Sequence, residues 1–323
     1  MKLATYKDGT RDGQLVIVSR DLSTAHYATG IATRLQQALD DWGFMAPQLQ
    51  DLYETLNHGK ARHAFPFDPT LCMAPLPRAY QRLKGQAYAS HAILLGEAEA
   101  DWAVHQAASD PLLGAQDPVV CANENLGVDF SAEIAVVTGD VPLGASVDDA
   151  LEGIRLVMLS NDITLRNVGH RVQSQPATAF SPVAVTLDEL GDAWDNGCVH
   201  LTLQVAWNGR KVGMCDAGTD MTHHFGQLVA HACKTRALRA GTIVSSGTVS
   251  NAGFEKSGKK EWPKGYSCIA EKRAMETALD GKTTTDFMKF GDTVRIEAKG
   301  KDGHSVFGAM DQELTALRPH GSI

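Results

Sequence analysis

Four runs of β-branched and other apolar residues constrain the fold of this chain most strongly. They span residues 128–137, 154–163, 199–207 and 293–298. Continuous or alternating apolar runs of this length are typical of β-strands. The clearest helical pattern, over residues 222–234, does not recur regularly between these runs. A doubly wound parallel sheet needs strands and helices to alternate, so the pattern predicts a mainly β, α+β fold instead.

The first 78 residues have the character of a smaller unit. A β-rich run over 13–20 is followed by helix-spaced apolar residues over 31–39 and 49–56. Four prolines then occur between residues 65 and 77. Because proline disrupts helix interiors and central strands, this stretch is predicted to be a linker or a strand edge. We therefore predict a small N-terminal domain over 1–78 and a larger catalytic domain over 79–323.

Composition and charge exclude several classes of protein. The 323 residues include 30 Lys and Arg against 38 Asp and Glu, a net charge of −8. This acidity argues against nucleic acid or an anionic membrane as the main partner. No segment approaches the roughly 18 apolar residues of a membrane span, and the N-terminus lacks the apolar core of a signal peptide. The six cysteines form no C-x-x-C pair and are predicted to be reduced thiols in a cytoplasmic protein.

Carboxylates occur inside two of the apolar runs. On a strand over 127–139, Asp129, Ser131 and Glu133 share one face, and Asp162 closes the strand over 154–163. A carboxylate in such a strand needs a partner, because an unpaired buried charge is costly. Glu133 and Asp162 could bind one hard cation such as Mg²⁺. Alternatively, Glu133 pairs with a lysine or arginine, and Asp162 caps the following turn.

Five segments, taken in order, resemble the fumarylacetoacetate hydrolase superfamily. They span residues 88–91, 128–137, 161–162, 173–182 and 241–251, and the resemblance extends over nearly the whole chain. The opening residues 2–5 and 12–15 resemble the small N-terminal domain of the longer bacterial members. The resemblance implies a mixed β-roll catalytic domain that is usually a homodimer.

The resemblance also implies a chemistry. Active members cleave, decarboxylate or isomerise β-diketo or 2-oxo acids with Mg²⁺ or Mn²⁺, held by a Glu-x-Glu strand and an Asp of the next motif. The cation polarises the carbonyl and stabilises the enolate, and a histidine activates water as general base. In this chain the metal ligands would be Ser131, Glu133 and Asp162, and the base would be His91. The alternative for His91 is a histidine on a helix surface.

The remaining candidate residues would bind substrate. Gly247 and Thr248 resemble a turn that grips a carboxylate, although a tight turn with a satisfied threonine is the plainer interpretation. Arg166 could hold an acid group or form a surface ion pair. Tyr88 and Gln175 complete the substrate-binding set.

Two further segments have simpler interpretations. His223 and His224 are adjacent, so they face different directions on a helix and are expected at a helix start rather than as a ligand pair. The acidic run Glu97, Glu99 and Asp101 predicts a solvated helix face.

Two substitutions depart from the family pattern. The first carboxylate of Glu-x-Glu is Ser131, and the lysine of a Ser-Lys-Pro motif is Gln175. A neutral hydroxyl weakens affinity for a hard cation, so metal binding is predicted to be weak. We predict a divalent-metal-assisted hydrolase or related lyase acting on a C–C bond of a β-diketo or 2-oxo acid. The alternatives are a repurposed isomerase, decarboxylase, cyclase or bond-forming enzyme, or a catalytically silent binding protein.

Overall fold

The structure, a computed structural model, describes residues 1–97 and 104–318. The helices are α1 Leu35–Asp40, α2 Trp42–Asn57, α3 Ala89–Leu95, α4 Val147–Glu152, α5 Arg171–Ser174, α6 Leu187–Leu190, α7 Phe225–Ala232 and α8 Ile269–Asp280. Within the described residues, no helix is both long enough and apolar enough to cross a membrane. All six cysteines are free.

The strands are more numerous than the helices, as the α+β prediction requires. They are β1 Lys2–Tyr6, β2 Gln14–Val18, β3 Thr24–Tyr27, β4 Phe65–Pro66, β5 Arg82–Gly85, β6 Val104–Ala107, β7 Leu112–Leu113, β8 Val119–Cys121, β9 Val128–Asp129, β10 Ala132–Thr138, β11 Ile154–Leu165, β12 Ala177–Phe180, β13 Ala184–Thr186, β14 Trp194–Asp195, β15 Cys198–Val199, β16 Thr202–Trp207, β17 Arg210–Asp216, β18 Ile243–Ser245, β19 Phe254–Lys256, β20 Lys259–Glu261, β21 Thr293–Lys299 and β22 Met310–Ala316.

One large sheet holds most of these strands. Its order is β4-β3-β2-β1-β13-β11-β10-β18-β5-β6, with β7, β9 and β12 attached at its side. The N-terminal strands join it where Lys2 of β1 pairs with Val185 of β13, so the sheet continues from the first residues into the larger segment. A second sheet has the order β17-β16-β21-β22-β8.

The predicted runs correspond to helices and strands whose boundaries differ in several places. The run 199–207 is divided into β15 and β16. The run 128–137 is divided into β9 and β10, because the chain leaves the ladder at Phe130 and Ser131. The helix expected over 222–234 is α7, which begins only at Phe225 after His224 caps its first turn. His224 therefore has the helix-start role expected of it. Glu97 follows the end of α3, whereas Glu99 and Asp101 lie outside the described residues.

Alternation along the central strands builds two hydrophobic cores, one on each face of the sheet. On β10, Ile134 and Val136 pack into one core, and Ala135 and Val137 into the other. Glu133 is two positions from Ala135, so its side chain lies on the same face of the sheet as Ala135 and Val137. It is close to the N-terminal end of β10. The sheet therefore has an apolar middle and a charged end on that face.

Candidate active site

A cavity of ≈ 310 Å³ opens at this charged end of the large sheet. Its lining includes the predicted residues Tyr88, His91, Arg166, Gln175, Gly247 and Thr248. They come from α3, the end of β11, the segment after α5 and the turn after β18. Residues spread over some 160 positions of the sequence therefore meet at one place.

His91 is paired with a buried carboxylate. It lies in the first turn of α3, and its Nδ1 is 3.0 Å from Oε1 of Glu271 in α8. The other oxygen of Glu271 accepts a hydrogen bond from the amide of Ser267 at 3.0 Å, and its side chain is only 1% exposed. This bond fixes the orientation of the imidazole and leaves its second nitrogen for a ligand. The pair has the geometry of a general base with an orienting carboxylate.

Asp129 holds the element that carries Glu271. Its carboxylate accepts hydrogen bonds from the amides of Ile269 and Ala270 at 2.7 and 3.1 Å, where α8 begins. Nε of Arg166 donates to the same carboxylate at 2.9 Å. Burial raises the pKa of Asp129, and the charge of Arg166 with the two amides opposes that effect. Arg166 is thus an ion-paired residue whose side chain also lines the cavity.

The turn after β18 has the properties of an anion-binding loop. Gly247 has a φ of +77°, and no acceptor among the described residues takes a hydrogen bond from the amides of Gly247 and Thr248. The hydroxyl of Thr248 is 2.7 Å from Oγ of Ser131. Successive amides that face a cavity bind carboxylates well.

We expect Gly247→Ala to destabilise this turn strongly. A Cβ at this position would lie 2.3 Å from the carbonyl oxygen of Gly85, in addition to the strain of a positive φ. A loss of about 2–5 kcal/mol would lower Tm by roughly 3–7 °C. Gly9→Ala is the matched control, because Gly9 has a φ of +83° but nothing within 4 Å of the added carbon. Equal losses in both variants would show that close packing at Gly247 is unimportant.

Tyr88 and Gln175 also reach the cavity. The Tyr88 hydroxyl donates to the carbonyl of Ala217 at 2.6 Å and is buried, so the ring forms a wall while the hydroxyl is committed to the protein. Gln175 follows α5 and lines the opposite side. Its amide can orient a polar ligand group.

The structure brings Ser131, Glu133 and Asp162 together, and two basic residues with them. Nζ of Lys84 is 2.9 Å from Oε1 of Glu133 and also contacts Oδ2 of Asp162. A guanidinium nitrogen of Arg82 is 2.9 Å from Oδ1 of Asp162. Both carboxylates are fully buried. Glu133 is thus paired with a lysine, which was one of the two interpretations of its position, and Asp162 forms ion pairs rather than capping a turn.

Hydroxyl groups also donate to these carboxylates, whereas Oε2 of Glu133 is buried without a hydrogen-bond partner among the described residues. Ser131 donates to Oε1 of Glu133 at 2.9 Å, and Thr178 donates to Oδ1 of Asp162 at 2.6 Å. Burial alone would raise the pKa of Asp162, but the charges of Lys84 and Arg82 hold that pKa well below its usual range. Burial alone would lower the pKa of Lys84. The negative charges of Asp162 and Glu133 outweigh the effect of burial, so the pKa of Lys84 is raised.

These residues do not fit a divalent cation. The carboxylates of Glu133 and Asp162 are balanced by Lys84 and Arg82, so the cluster is already neutral. A hard dication prefers anionic oxygens, and the third family position is the neutral hydroxyl of Ser131. Oε1 of Glu133 and Oδ2 of Asp162 contact the Lys84 ammonium, and Oδ1 of Asp162 contacts Arg82, so three of the four carboxylate oxygens already have a cationic partner.

A second group of potential metal ligands lies beside the first. Ligand atoms of His91, Cys268 and Glu271 all lie within 4.8 Å of one another. The histidine and the glutamate are already hydrogen-bonded to each other, and Arg166 donates to the Cys268 sulfur at 3.7 Å. Burial raises the pKa of the Cys268 thiol well above its usual value, whereas a metal needs the thiolate. This cluster is better described as the surroundings of a base.

Three residues of the site escaped the sequence analysis: Arg82, Lys84 and Glu271. Arg82 and Lys84 share one face of β5 just before the 88–91 motif, but a strand of four residues gives no clear pattern in the sequence. Glu271 gave no local signal, because it lies 180 positions from His91.

Comparison with known proteins shows which families this chain is similar to. Residues 1–78 match the family model described as fumarylacetoacetase N-terminal domain 2. Residues 82–315 match the model described as fumarylacetoacetate (FAA) hydrolase C-terminal. Oxaloacetate tautomerase YisK of Bacillus subtilis (strain 168) is 26% identical over 199 residues, which cover 56% of this chain and 62% of that protein. The alignment thus spans less than two thirds of the curated relative.

Solved structures share the fold along nearly the whole chain. A probable 2-hydroxyhepta-2,4-diene-1,7-dioate isomerase from Mycobacterium abscessus has a TM-score of 0.69 at 19% identity, over 99% of this chain and 100% of that one. Maleylpyruvate hydrolase from Sphingobium sp. SYK-6, solved with manganese(II) and pyruvate, has a TM-score of 0.68 at 15% identity, over 98% and 100%. Since the C-terminal family model by itself covers well over half of the sequence, this chain belongs to the fumarylacetoacetate hydrolase family.

Proposed function

We propose that this protein is an enzyme that interconverts the keto and enol forms of a small 2-oxo acid. One observation carries the proposal: the His91–Glu271 pair opens on the same cavity as the Gly247–Thr248 turn and the cations Lys84 and Arg166. A base, an anion-binding turn and positive charge are the groups that enolisation of a keto acid requires.

The roles follow from the positions of the groups. The turn amides and Arg166 bind the substrate carboxylate and set its orientation. His91 then removes a proton from the carbon next to the carbonyl group, and Glu271 stabilises the imidazolium that forms. The same imidazolium returns the proton to the oxygen or to the carbon, so that no atom is gained or lost. A cavity of ≈ 310 Å³ suits a substrate of this size.

Hydrolysis of a C–C bond in a β-diketo acid is the second candidate. The His91 side chain is 15% exposed, so water can reach the imidazole and be activated by the same pair. The two relatives named above as isomerase and hydrolase share this fold, which supports both candidates equally. Hydrolysis makes the greater demand on the site, because the carbonyl under attack must be strongly polarised. We therefore place tautomerisation first.

Two assays with purified protein separate the candidates. Oxaloacetate enol is followed by its ultraviolet absorbance as it converts to the keto form. Acylpyruvates are incubated in parallel, and pyruvate release is measured. Tautomerisation predicts a rate with oxaloacetate that His91→Asn abolishes, with no pyruvate released from the acylpyruvates. Release of pyruvate would favour the hydrolase, and absence of both activities would contradict the proposed function.

A further inference from the structure

We propose that the Lys84 ammonium takes the place of the divalent cation in this protein and stabilises the enolate oxygen of the substrate without a metal. The catalytic half of this inference, in which Lys84 stabilises an enolate, rests on the proposed function, because that function supplies the substrate. The structural half, in which Lys84 replaces a metal, depends only on the geometry of the cluster.

The sheet places Lys84 where the two carboxylates converge. Strand β5 runs parallel to β18, with Lys84 opposite Ser245, and Ser245 is in turn opposite Ala135 of β10. Lys84 therefore crosses one strand to reach Glu133 on β10 and crosses a further strand to reach Asp162 on β11. Its charged end lies between the two carboxylates, whose side chains extend from the neighbouring strands.

The charge of the cluster leaves no need for a metal. Two carboxylates face two cations, and Ser131 contributes no charge. A dication that entered this cluster would have to displace the Lys84 ammonium or raise the local charge by two. Both are unfavourable in a buried environment, where like charges are poorly screened.

The same ammonium group faces the cavity. Lys84 is among the lining residues, and its side chain is 12% exposed although both of its carboxylate partners are fully buried. An ammonium group has three N–H donors. Glu133 and Asp162 accept two of them, and the third has no partner among the described residues. That donor is available to an oxygen atom of a ligand in the cavity.

The contact with the substrate would be electrostatic rather than covalent. A lysine that forms a Schiff base must be a free amine. Lys84 is held between two carboxylates, an arrangement that keeps it protonated. A positive charge placed where negative charge develops is an effective way to stabilise an enolate.

Manganese binding tests the structural half directly. Mn²⁺ is titrated calorimetrically into the wild type and into the double variant Ser131→Glu with Lys84→Met, which restores a third carboxylate and removes the ammonium. We expect no binding by the wild type at millimolar Mn²⁺, and a gain in affinity of at least about 100-fold in the double variant. Micromolar binding by the wild type would overturn the proposal, as would binding that is the same in both proteins. If the double variant is unfolded, the wild-type titration still decides.

Activity in the presence of EDTA tests the catalytic half. The wild type should retain its rate, and Lys84→Met should lose about 10²- to 10³-fold in kcat. Lys84→Arg should lose less, since it keeps the charge, and Lys60→Met, which removes an exposed lysine outside the cavity, should lose nothing.

Loss of the wild-type rate with EDTA and its recovery with Mn²⁺ would overturn the inference and leave the proposed function standing. A wild type inactive on every keto acid would overturn the proposed function and leave the manganese result to stand by itself.

A trapping experiment checks the contact with the substrate. Sodium borohydride is added to the wild type with pyruvate, and the intact mass is measured. We expect no adduct. A mass increase that matches a reduced pyruvyl group on Lys84 would overturn the electrostatic role.

Discussion

His91→Asn should lower kcat/KM for a 2-oxo acid by about 10²- to 10⁴-fold, because proton transfer by a positioned side chain contributes that much to a rate. Asparagine keeps a polar group of similar reach but cannot accept and return a proton at neutral pH. The Glu271 carboxylate keeps its bond to the amide of Ser267. The fold should therefore be little affected, with a change in Tm of less than about 4 °C. Steady-state kinetics and a thermal melt of the same preparation measure both quantities.

His304→Asn is the matched control for this variant. His304 is an exposed histidine outside the cavity, so its replacement should leave both kcat/KM and Tm unchanged. A wild-type rate in His91→Asn would mean that another group moves the proton. A collapse of Tm would instead mean that the His91–Glu271 bond is structural.

Asp162→Asn should produce the largest loss of stability among single charge removals in the cluster. The substitution keeps the shape of the side chain but leaves Arg82, which is 1% exposed, and Lys84 without their shared carboxylate. Removing one partner of a buried ion pair costs about 3–5 kcal/mol. We expect Tm to fall by roughly 4–7 °C. If the two carboxylates instead repelled each other around an absent metal, Tm would stay the same or rise.

The pH dependence gives this prediction a second readout. The pKa of Asp162 is depressed in the folded protein, so its contribution to stability is present above the unfolded pKa and is lost as the pH falls through the folded one. The difference in Tm between wild type and variant should persist from pH 8 to pH 5 and narrow only in acid below about pH 4. Asp286→Asn is the control, since its side chain is 82% exposed and its replacement should change Tm by less than about 1 °C. A difference that vanished already near pH 6 would point to another titrating group.

The sequence contained enough information to predict the carboxylate side of the cluster. Side chains alternate along a strand, so Ser131 and Glu133 had to share a face. Antiparallel pairing of β10 with β11 then places Asp162 beside Ser131, and its amide donates to the Ser131 carbonyl at 3.0 Å. The family resemblance supplied His91, Gly247 and Thr248 together, and the structure gathers all three at the cavity.

The basic side of the cluster could not be predicted in the same way. Strand β5 has four residues, too few for a clear pattern, and its partner β18 lies about 160 positions later in the chain. A parallel pairing between such distant segments leaves no local trace in the sequence. The ion pairs of Lys84 depend on that pairing, and so does the conclusion that a metal does not fit. The continuation of the N-terminal strands into the large sheet is unpredictable for the same reason.

Exchange of the C3 protons of pyruvate with D₂O, followed by ¹H NMR in the presence of EDTA, tests the central claim most directly. Exchange reports proton removal next to the carbonyl and needs no knowledge of the natural substrate. We predict that the wild type catalyses exchange without added metal, and that exchange falls to the buffer rate in both His91→Asn and Lys84→Met. Exchange that appears only with Mn²⁺, or that neither substitution slows, would contradict the account.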